Sequence, residues 1–229
     1  MQALEAIRFD TSGFTPEPRI NDPLIHTRGA AGPSIAGWTN GFGDTLTIHF
    51  FQIPPDLPTP FRSVEELRDF HRPRVAENGG GIVSIEVHRA RGLFMQETIY
   101  KFPGKPAGVT YAGALTIPFA QFSYVIKLQC PEGSPTGLRE TAIAAEKLKA
   151  MGPGADPRSV LKGWAKDPYD PAFLGATLRN ESEDEKHDAR FPTHPLTRCR
   201  RMLLVVRDSV ALNAALLTVA KPFPTALPV

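Results

Sequence analysis

The feature that most constrains the fold is a run of four alternating segments joined by short connections. Polar and apolar side chains alternate along residues 82–90, 93–102, 110–117 and 122–130, and a period of two is typical of half-buried β-strands. Connections this short favour antiparallel pairing of consecutive strands, so the sequence predicts a β-meander. The side chains expected to share its buried face are Val83, Ile85, Val87, Phe122, Tyr124, Ile126 and Leu128.

Elements on either side of the meander complete the predicted fold. Residues 45–53 alternate in the same way, and Ser63 and Glu66 form a capping box that opens a helix. Pro73 is expected to kink or end that helix, since proline lacks the amide hydrogen and clashes with the preceding turn. Residues 136–151 have helical spacing, with Leu138, Ala142, Ala145 and Leu148 expected to face inward. This order predicts an α+β fold, in which helices pack on an antiparallel sheet of about five to seven strands.

We expect a single domain over residues 1–229, because a chain with 41% hydrophobic residues can build one sizeable core. Residues 1–44 are predicted to form an arm rich in proline and glycine, irregular apart from a short strand at residues 4–9. Residues 45–151 form the core of sheet and helices, and residues 152–220 form a packed C-terminal helical segment.

Two helix starts are predicted within the C-terminal segment. A capping box from Ser182 to Glu185 opens a short helix that ends at Arg190, and Pro195 suits the first position of the last helix. The apolar stripe of that last helix must be buried against the rest of the domain. Its members are Cys199, Met202, Leu203, Val206 and Val210. Residues 221–229 contain three prolines and are expected to form a tail.

Composition argues against several classes of protein. A net charge of +2 gives no general attraction for nucleic acid or an acidic membrane. No apolar run approaches the ~20 residues of a membrane span, and the first residues lack the apolar stretch of a secretory signal. We therefore expect a cytoplasmic protein that binds neither nucleic acid nor membrane. The two cysteines, Cys130 and Cys199, make neither a disulfide framework nor a zinc site, and we expect no cofactor or metal.

One group of side chains on the predicted sheet could carry chemistry. His49, Glu86 and His88 fall on the polar side of their strands. If those strands are neighbours, two imidazoles and a carboxylate could bind a metal or transfer protons. The alternative is a solvated or helix-covered face with ordinary hydrogen bonds, because the sequence does not reveal strand order or register. His71 lies on the apolar stripe of the first helix and is interpreted as a core histidine.

A second group surrounds the predicted short helix. Asp184 and Asp188 are four residues apart and share a helix face, with His187 beside them and His194 shortly after. These four side chains could hold a metal ion. The alternative is that they act as helix caps and as partners of the nearby arginines.

Two further sets of residues could bind a partner protein. The last helix carries a basic cluster of Arg198, Arg200, Arg201 and Arg207, which could meet an acidic partner or phosphates, or could pair with the acidic run at residues 181–185. Of these, Arg200, Arg201 and Arg207 are the expected binding residues. No aromatic residues alternate with them, which argues against nucleic acid. Trp164 and Tyr169 lie in a proline-containing loop, where they could form an interaction surface or cover the sheet.

The order of these elements resembles that of the Mog1/PsbP-like fold. A strand at residues 45–53, a Ser63-capped helix, a meander and a closing helix at residues 136–151 carry the resemblance. Proteins of this fold include GTPase-binding, photosystem-associated and secretion-chaperone members, so the resemblance implies action by binding other proteins. Three segments also resemble an uncharacterised bacterial protein family, whose lack of an assigned activity implies no site residue. They are GALTIPF at residues 113–119, DPYD at residues 167–170 and DARFPTHPLTR at residues 188–198.

The sequence contains no phosphate loop, dinucleotide-binding glycine pattern, nucleophile elbow or H-E-x-x-H motif. The leading hypothesis is therefore a non-enzymatic protein-interaction module, such as an adaptor, chaperone or assembly component. The alternative is a metal-assisted hydrolase that uses one of the two histidine groups. A small-ligand binder is the third hypothesis.

Overall fold

A computed structural model of the protein describes residues 3–19, 34–152 and 156–226. The strands are β1 (Ile7–Arg8), β2 (Thr15–Pro16), β3 (Ser34–Thr39), β4 (Thr45–Phe51), β5 (Gly81–Ala90), β6 (Leu93–Pro103), β7 (Val109–Pro118), β8 (Ser123–Pro131), β9 (Ala165–Lys166), β10 (Arg179–Asn180) and β11 (Ala211–Leu212). The α-helices are α1 (Val64–Glu77), α2 (Leu138–Ala150), α3 (Pro157–Val160), α4 (Pro195–Ser209) and α5 (Ala214–Val219). Short 3-10 helices span Ala3–Ala6, Glu181–Glu183 and Glu185–Arg190.

The central sheet has seven strands in the order β2-β3-β4-β8-β7-β6-β5, and every neighbouring pair is antiparallel. Strands β5 to β8 follow one another as a meander. The predicted α+β fold, an antiparallel sheet with helices packed on it, is confirmed. No helix in the described part of the chain has the length and apolar character needed to cross a membrane.

A β-bulge in β5 changes which side chains share a face. Ile82 and Ser84 pair with consecutive residues of β6, so the intervening Val83 has no partner in the ladder. Val83 consequently packs with Ile126 in the main core, whereas Ile85 belongs to a smaller cluster on the opposite face. The prediction that β5 and β8 present one common buried face is therefore wrong beyond residue 83. Val87, like Ile85, packs in the smaller cluster on the opposite face.

Helix α4 packs on β7 and β8, and its predicted apolar stripe is buried there. Leu196, Cys199, Leu203 and Val206 are fully buried against the sheet, and Met202 is partly buried. Pro195 occupies the predicted first turn of the helix. Both cysteines are free and buried, and they belong to the same core cluster.

Helix α1 covers β5 on the opposite face of the sheet, where Leu67 and Phe61 form the smaller cluster. Half of the predicted capping box is present: the Ser63 hydroxyl accepts the amide of Glu66 at 3.2 Å, whereas the Glu66 carboxylate accepts the amide of Arg62 at 3.1 Å and not that of Ser63. The helix does not end at Pro73 but continues to Glu77. One missing amide bond does not stop a helix whose turns on either side are anchored by buried side chains.

The N-terminal arm is more regular than predicted. Its residues 34–39 form β3, which pairs along its whole length with β4. The predicted strand at residues 4–9 is a 3-10 helix followed by the two-residue β1. Residues 20–33, on which much of the expected irregular arm falls, lie outside the described residues.

Two helical predictions need correction as well. Helix α2 buries Arg139 and Ile143, whereas Leu138, expected to face inward, is 60% exposed. The predicted capping box at Ser182 is wrong, because Asn180 and Glu183 form the box and Ser182 is buried.

The predicted tail is bound to the body as far as residue 226: Phe223 is buried, and residue 61 exchanges backbone hydrogen bonds with residues 224 and 226. Residues 227–229 lie outside the described residues.

Candidate functional site

The first group of sequence-predicted residues is separated by the strand order. His49 lies on β4, and Glu86 and His88 lie on β5, with β8, β7 and β6 between the two strands. His49 is buried, its Nε2 lies 3.0 Å from Thr47 Oγ1, and its ring stacks on Phe51. The two imidazoles and the carboxylate therefore do not converge.

Glu86 and His88 each have partners at the β5 edge. Glu86 accepts from Arg68 of α1 at 3.1 Å. His88 Nε2 accepts from Arg207 of α4 at 3.0 Å and lies 3.4 Å from the Glu97 carboxylate. These contacts fix helices α1 and α4 to the edge of the sheet on its two sides.

The second group is brought close together, but its carboxylates bind arginines. Asp184 accepts from Arg179 at 2.7 Å. Asp188 lies 2.8 Å from Arg139 and 2.9 Å from Arg200. Each carboxylate is therefore engaged in ion pairs that hold the C-terminal segment together.

His194 is a helix cap. Its Nδ1 accepts the amide of Leu196 at 3.3 Å, which satisfies one of the unpaired donors at the start of α4. Burial, together with the nearby Arg139 and Arg198, lowers the pKa of His194 to about 3. The imidazole is thus neutral at physiological pH, as an acceptor must be. His187 has a lowered pKa through burial and the neighbouring Lys186.

Within residues 3–19, 34–152 and 156–226, no group of three or more His, Cys, Asp and Glu side chains is placed to hold a metal ion. Both residue groups named for a metal-assisted hydrolase are instead either separated or engaged in caps and ion pairs. No observation of the geometry favours that alternative.

A buried ionic cluster centred on Glu183 was not predicted from the sequence. Glu183 is 1% exposed and accepts from Lys101 at 3.0 Å, from the Tyr111 hydroxyl at 2.7 Å and from the Asn180 amide at 2.7 Å. Burial and the Glu183 charge raise the pKa of Tyr111, which keeps its hydroxyl a donor. Arg139, buried alongside, donates to backbone carbonyls of the same segment. The cluster anchors the C-terminal segment to β6 and β7.

Four of the five side chains predicted to bind a partner contact other parts of this chain. Arg200 pairs with Asp188, and Arg207 with Glu97. Trp164 lies under Lys147, with the Lys147 Nζ 5.8 Å from its ring centroid.

Tyr169 covers the open edge of β5. Its hydroxyl accepts the amide of Ile85 at 2.9 Å, and the Arg68 guanidinium stacks on its ring at 3.7 Å. An edge strand with unpaired backbone groups invites pairing with other chains, so Tyr169 protects it. Arg201, the fifth predicted residue, is exposed.

The exposed Arg201 borders a groove of about 330 Å³ between α4 and two N-terminal loops. We call it the α4 groove. Its apolar lining includes Phe14, Met202 and Val205, and the 56% exposed ring of Phe42 stands at its edge. Asp10, at another part of the rim, accepts the amide of Ser12 at 2.7 Å.

Phe42 is held in place by a buried ion pair beneath it. Asn40 and Asp44 close the turn between β3 and β4, with the Asp44 amide donating to Asn40 Oδ1 at 3.0 Å. Asp44 accepts two hydrogen bonds from Arg198 of α4, at 2.8 and 2.6 Å. The Arg198 guanidinium lies 4.7 Å from the Phe42 ring centroid. No sequence motif signals this arrangement, because its parts come from two segments far apart in the sequence, residues 40–44 and α4.

No family model matches the sequence, and no curated protein matches it. Among solved structures, the chain is similar to a Pseudomonas aeruginosa protein of unknown function, at 12% identity and a TM-score of 0.33, covering 62% of this chain and 96% of that one. It is also similar to cyanobacterial PsbP (CyanoP) from Synechocystis sp. PCC 6803, at 11% identity and a TM-score of 0.36, covering 63% of this chain and 82% of that one. A PsbP protein is thus among the similar structures, although TM-scores of this size assign no function.

Proposed function

We propose that this protein is a non-enzymatic protein-interaction module, and that the α4 groove is its binding surface. The observation that supports this proposal is the exposed aromatic ring of Phe42 beside the exposed Arg201, above a groove with an apolar lining. Aromatic residues, methionine and arginine are enriched at protein interfaces relative to the rest of the surface. Such side chains also carry much of the binding free energy.

The charges around the groove indicate what kind of segment it would bind. Arg198 is neutralised by Asp44, whereas no described residue forms an ion pair with Arg201. An exposed guanidinium that forms no ion pair within the described part of the chain is available for an acidic side chain of another protein. The partner is therefore a protein segment with one large apolar side chain for the groove and one acidic side chain for Arg201.

The rigidity of the groove supports the same proposal. Its wall is α4, which is buried along one side in the main core, and its edge is a turn fixed by the Asp44–Arg198 pair. A preformed surface loses less conformational entropy on binding than a loose one, which favours affinity.

Affinity capture from the source cell with wild-type and variant protein tests this function. Arg201→Glu and Phe42→Ala should each reduce capture of the specific partner at least about tenfold, a loss of about 1.4 kcal/mol in binding free energy. Lys149→Glu, which reverses an exposed charge on α2, is the matched control and should capture the partner as the wild type does.

The purified partner then allows a stricter test. Changing its acidic contact residue to arginine should abolish binding to the wild type and restore binding to Arg201→Glu, because the charges again complement each other. If every captured protein is retained equally by Arg201→Glu and Phe42→Ala, the α4 groove is not the binding surface.

A further inference from the structure

A half-open cavity of about 470 Å³ lies on the face of the sheet opposite to α4. We call it the sheet cavity. Its floor is formed by β6, β7 and β8, and its sides are α1 and residues 53–57. The volume falls within the range of small-molecule sites, roughly 300–1,000 Å³. The α4 groove lies on the other side of the sheet, so the two sites are independent.

The floor of the cavity carries a buried amide that is only partly paired. Gln96 of β6 is 2% exposed, and its Nε2 donates to His71 Nε2 at 2.5 Å. Its Oε1 is buried and has no hydrogen-bond partner among the described residues. Buried polar atoms are nearly always hydrogen-bonded in folded proteins, so an unmatched acceptor in a cavity wall indicates a place where a donor can bind.

His71, interpreted from the sequence as a core histidine, is the partner that orients this amide. Burial lowers the pKa of His71 to about 4, so the ring is neutral at physiological pH and can accept from Gln96. Arg74, which lowers the same pKa, and Asp56, which raises it, are the charged groups that act on the ring. The helix thus places a neutral imidazole over the floor.

The rest of the lining is apolar or weakly polar. Phe51, Ile53, Pro54, Pro55, Leu57, Tyr100, Ala114 and Val125 supply apolar surface, and Thr98, Thr116 and Ser123 supply hydroxyl groups. Among the described residues that line the cavity, Asp56 is the single charged one, and it is exposed. An anion would lose its hydration without gaining an opposite charge, and a cation would find one only at the exposed Asp56 and none on the floor, so burial of a charged group on the floor is disfavoured.

We propose that the sheet cavity binds a neutral small molecule with an apolar body and one N–H or O–H group, which donates to Gln96 Oε1. The apolar body packs between Leu57 on the loop and Ala114 and Val125 on the sheet. This binding site goes beyond the proposed interaction with a partner protein and rests on different residues.

Three neutral probes, each with a methylated counterpart that lacks the donor, test the proposal on the full chain. The pairs are indole with 1-methylindole, 2-naphthol with 2-methoxynaphthalene, and benzamide with N,N-dimethylbenzamide. In a titration followed by ¹H–¹⁵N NMR, at least one donor probe should cause saturable shifts at the amides of Gln96, Thr98, Ala114 and Val125. Its methylated counterpart should bind at least about tenfold more weakly, the cost of a buried acceptor left unpaired.

Two pairs of variants locate the site and its acceptor. Ala114→Trp fills the cavity and should abolish the shifts. Ala112→Trp is the matched control, since Ala112 lies on the same face of β7 but does not line the cavity. Gln96→Leu, which removes the acceptor, should make a donor probe and its methylated counterpart bind equally.

Three results would overturn the proposal. The first is the absence of saturable shifts with any of the donor probes. The second is equal affinity of the wild type for a donor probe and its methylated counterpart, which would remove the role of Gln96. The third is an equal effect of both tryptophan variants, which would place binding outside the cavity. Because the wild-type comparison needs no variant, a misfolded Ala114→Trp protein leaves the test intact.

Discussion

Gly113 of β7 lies directly beneath Cys199 of α4. A Cβ atom at residue 113 would stand 2.6 Å from Cys199 Sγ and 2.8 Å from Leu203 Cδ1, closer than atoms of a folded protein can pack. The absence of a side chain at this position therefore sets how closely the helix approaches the sheet. The whole of the main core, which α4 and the sheet build together, depends on that spacing.

Gly113→Ala should lower the free energy of unfolding by about 1–3 kcal/mol, the usual cost of an extra methyl group in a packed core. Denaturant-induced unfolding measures the change. Gly41→Ala is the control, since a Cβ there meets no atom within 4 Å, and it should change stability by less than about 0.5 kcal/mol. Cys199→Ala in the Gly113→Ala background should recover part of the loss; additive effects would show that the two residues are not in contact.

The cap at the start of α4 makes stability depend on pH. The pKa of His194 is lowered by burial from 6.5 to about 3, so below about pH 6.5 the unfolded chain binds a proton that the folded chain does not. Stability from this residue is present above that pH and falls as the pH drops towards the folded pKa. His194→Asn keeps a capping acceptor but does not titrate. Its loss of stability between about pH 7.5 and about pH 5 should be smaller than that of the wild type.

Denaturant unfolding at both pH values measures this difference. Carboxylates and His71 titrate equally in both proteins, so the difference between wild type and His194→Asn reports His194 alone. Identical pH dependence of the two proteins would mean that the imidazole at this cap is not held neutral.

The elements that could be predicted from the sequence are those whose signal is local. The strands of the meander show alternation of polar and apolar residues, and α4 shows apolar residues at helical spacing. Both occur close to the predicted positions. Strand β3 was missed because its backbone pairs with β4 while its sequence, with Gly37 and a preceding proline and glycine, has little strand signal. Val83 changes face through a bulge that depends on the partner strand.

The candidate sites could not be predicted because their residues are brought together from segments that lie far apart in the sequence. Arg139 is buried in α2 because carbonyls and a carboxylate from residues 182–188 surround it, and helical spacing alone cannot reveal partners so far along the chain. The α4 groove joins Phe14, Phe42 and Arg201 from three segments, so of these the sequence indicated the arginine alone. In the sequence, Gln96 has the pattern of an ordinary polar strand residue. Its burial and its contact with His71 depend on the position of α1, which the sequence does not reveal.

Lys101 and Glu183 form a buried ion pair whose two halves should prove interdependent. Glu183→Ala leaves the Lys101 ammonium, 5% exposed, without its carboxylate, and should cost about 3–5 kcal/mol of stability. Lys101→Met in the same chain removes the stranded charge and should recover a large part of that loss. A double-mutant cycle from denaturant unfolding gives the coupling free energy, and a value near zero would contradict the pairing.

We propose that residues 160–229 belong to the same domain as the sheet, so that deleting them destroys the fold. The deletion removes α4, which buries the face of the sheet formed by Leu115, Ile126 and Leu128, and it removes the carboxylate that neutralises Lys101. A sheet that exposes such a large apolar face aggregates or stays partly unfolded. The fragment of residues 1–159 should therefore be poorly soluble and show no cooperative thermal transition by circular dichroism. Co-expression with a separate chain of residues 160–229 should recover soluble protein, because the lost contacts are then supplied in trans. A fragment that melts cooperatively at the temperature of the full chain would instead make the C-terminal segment an independent appendage.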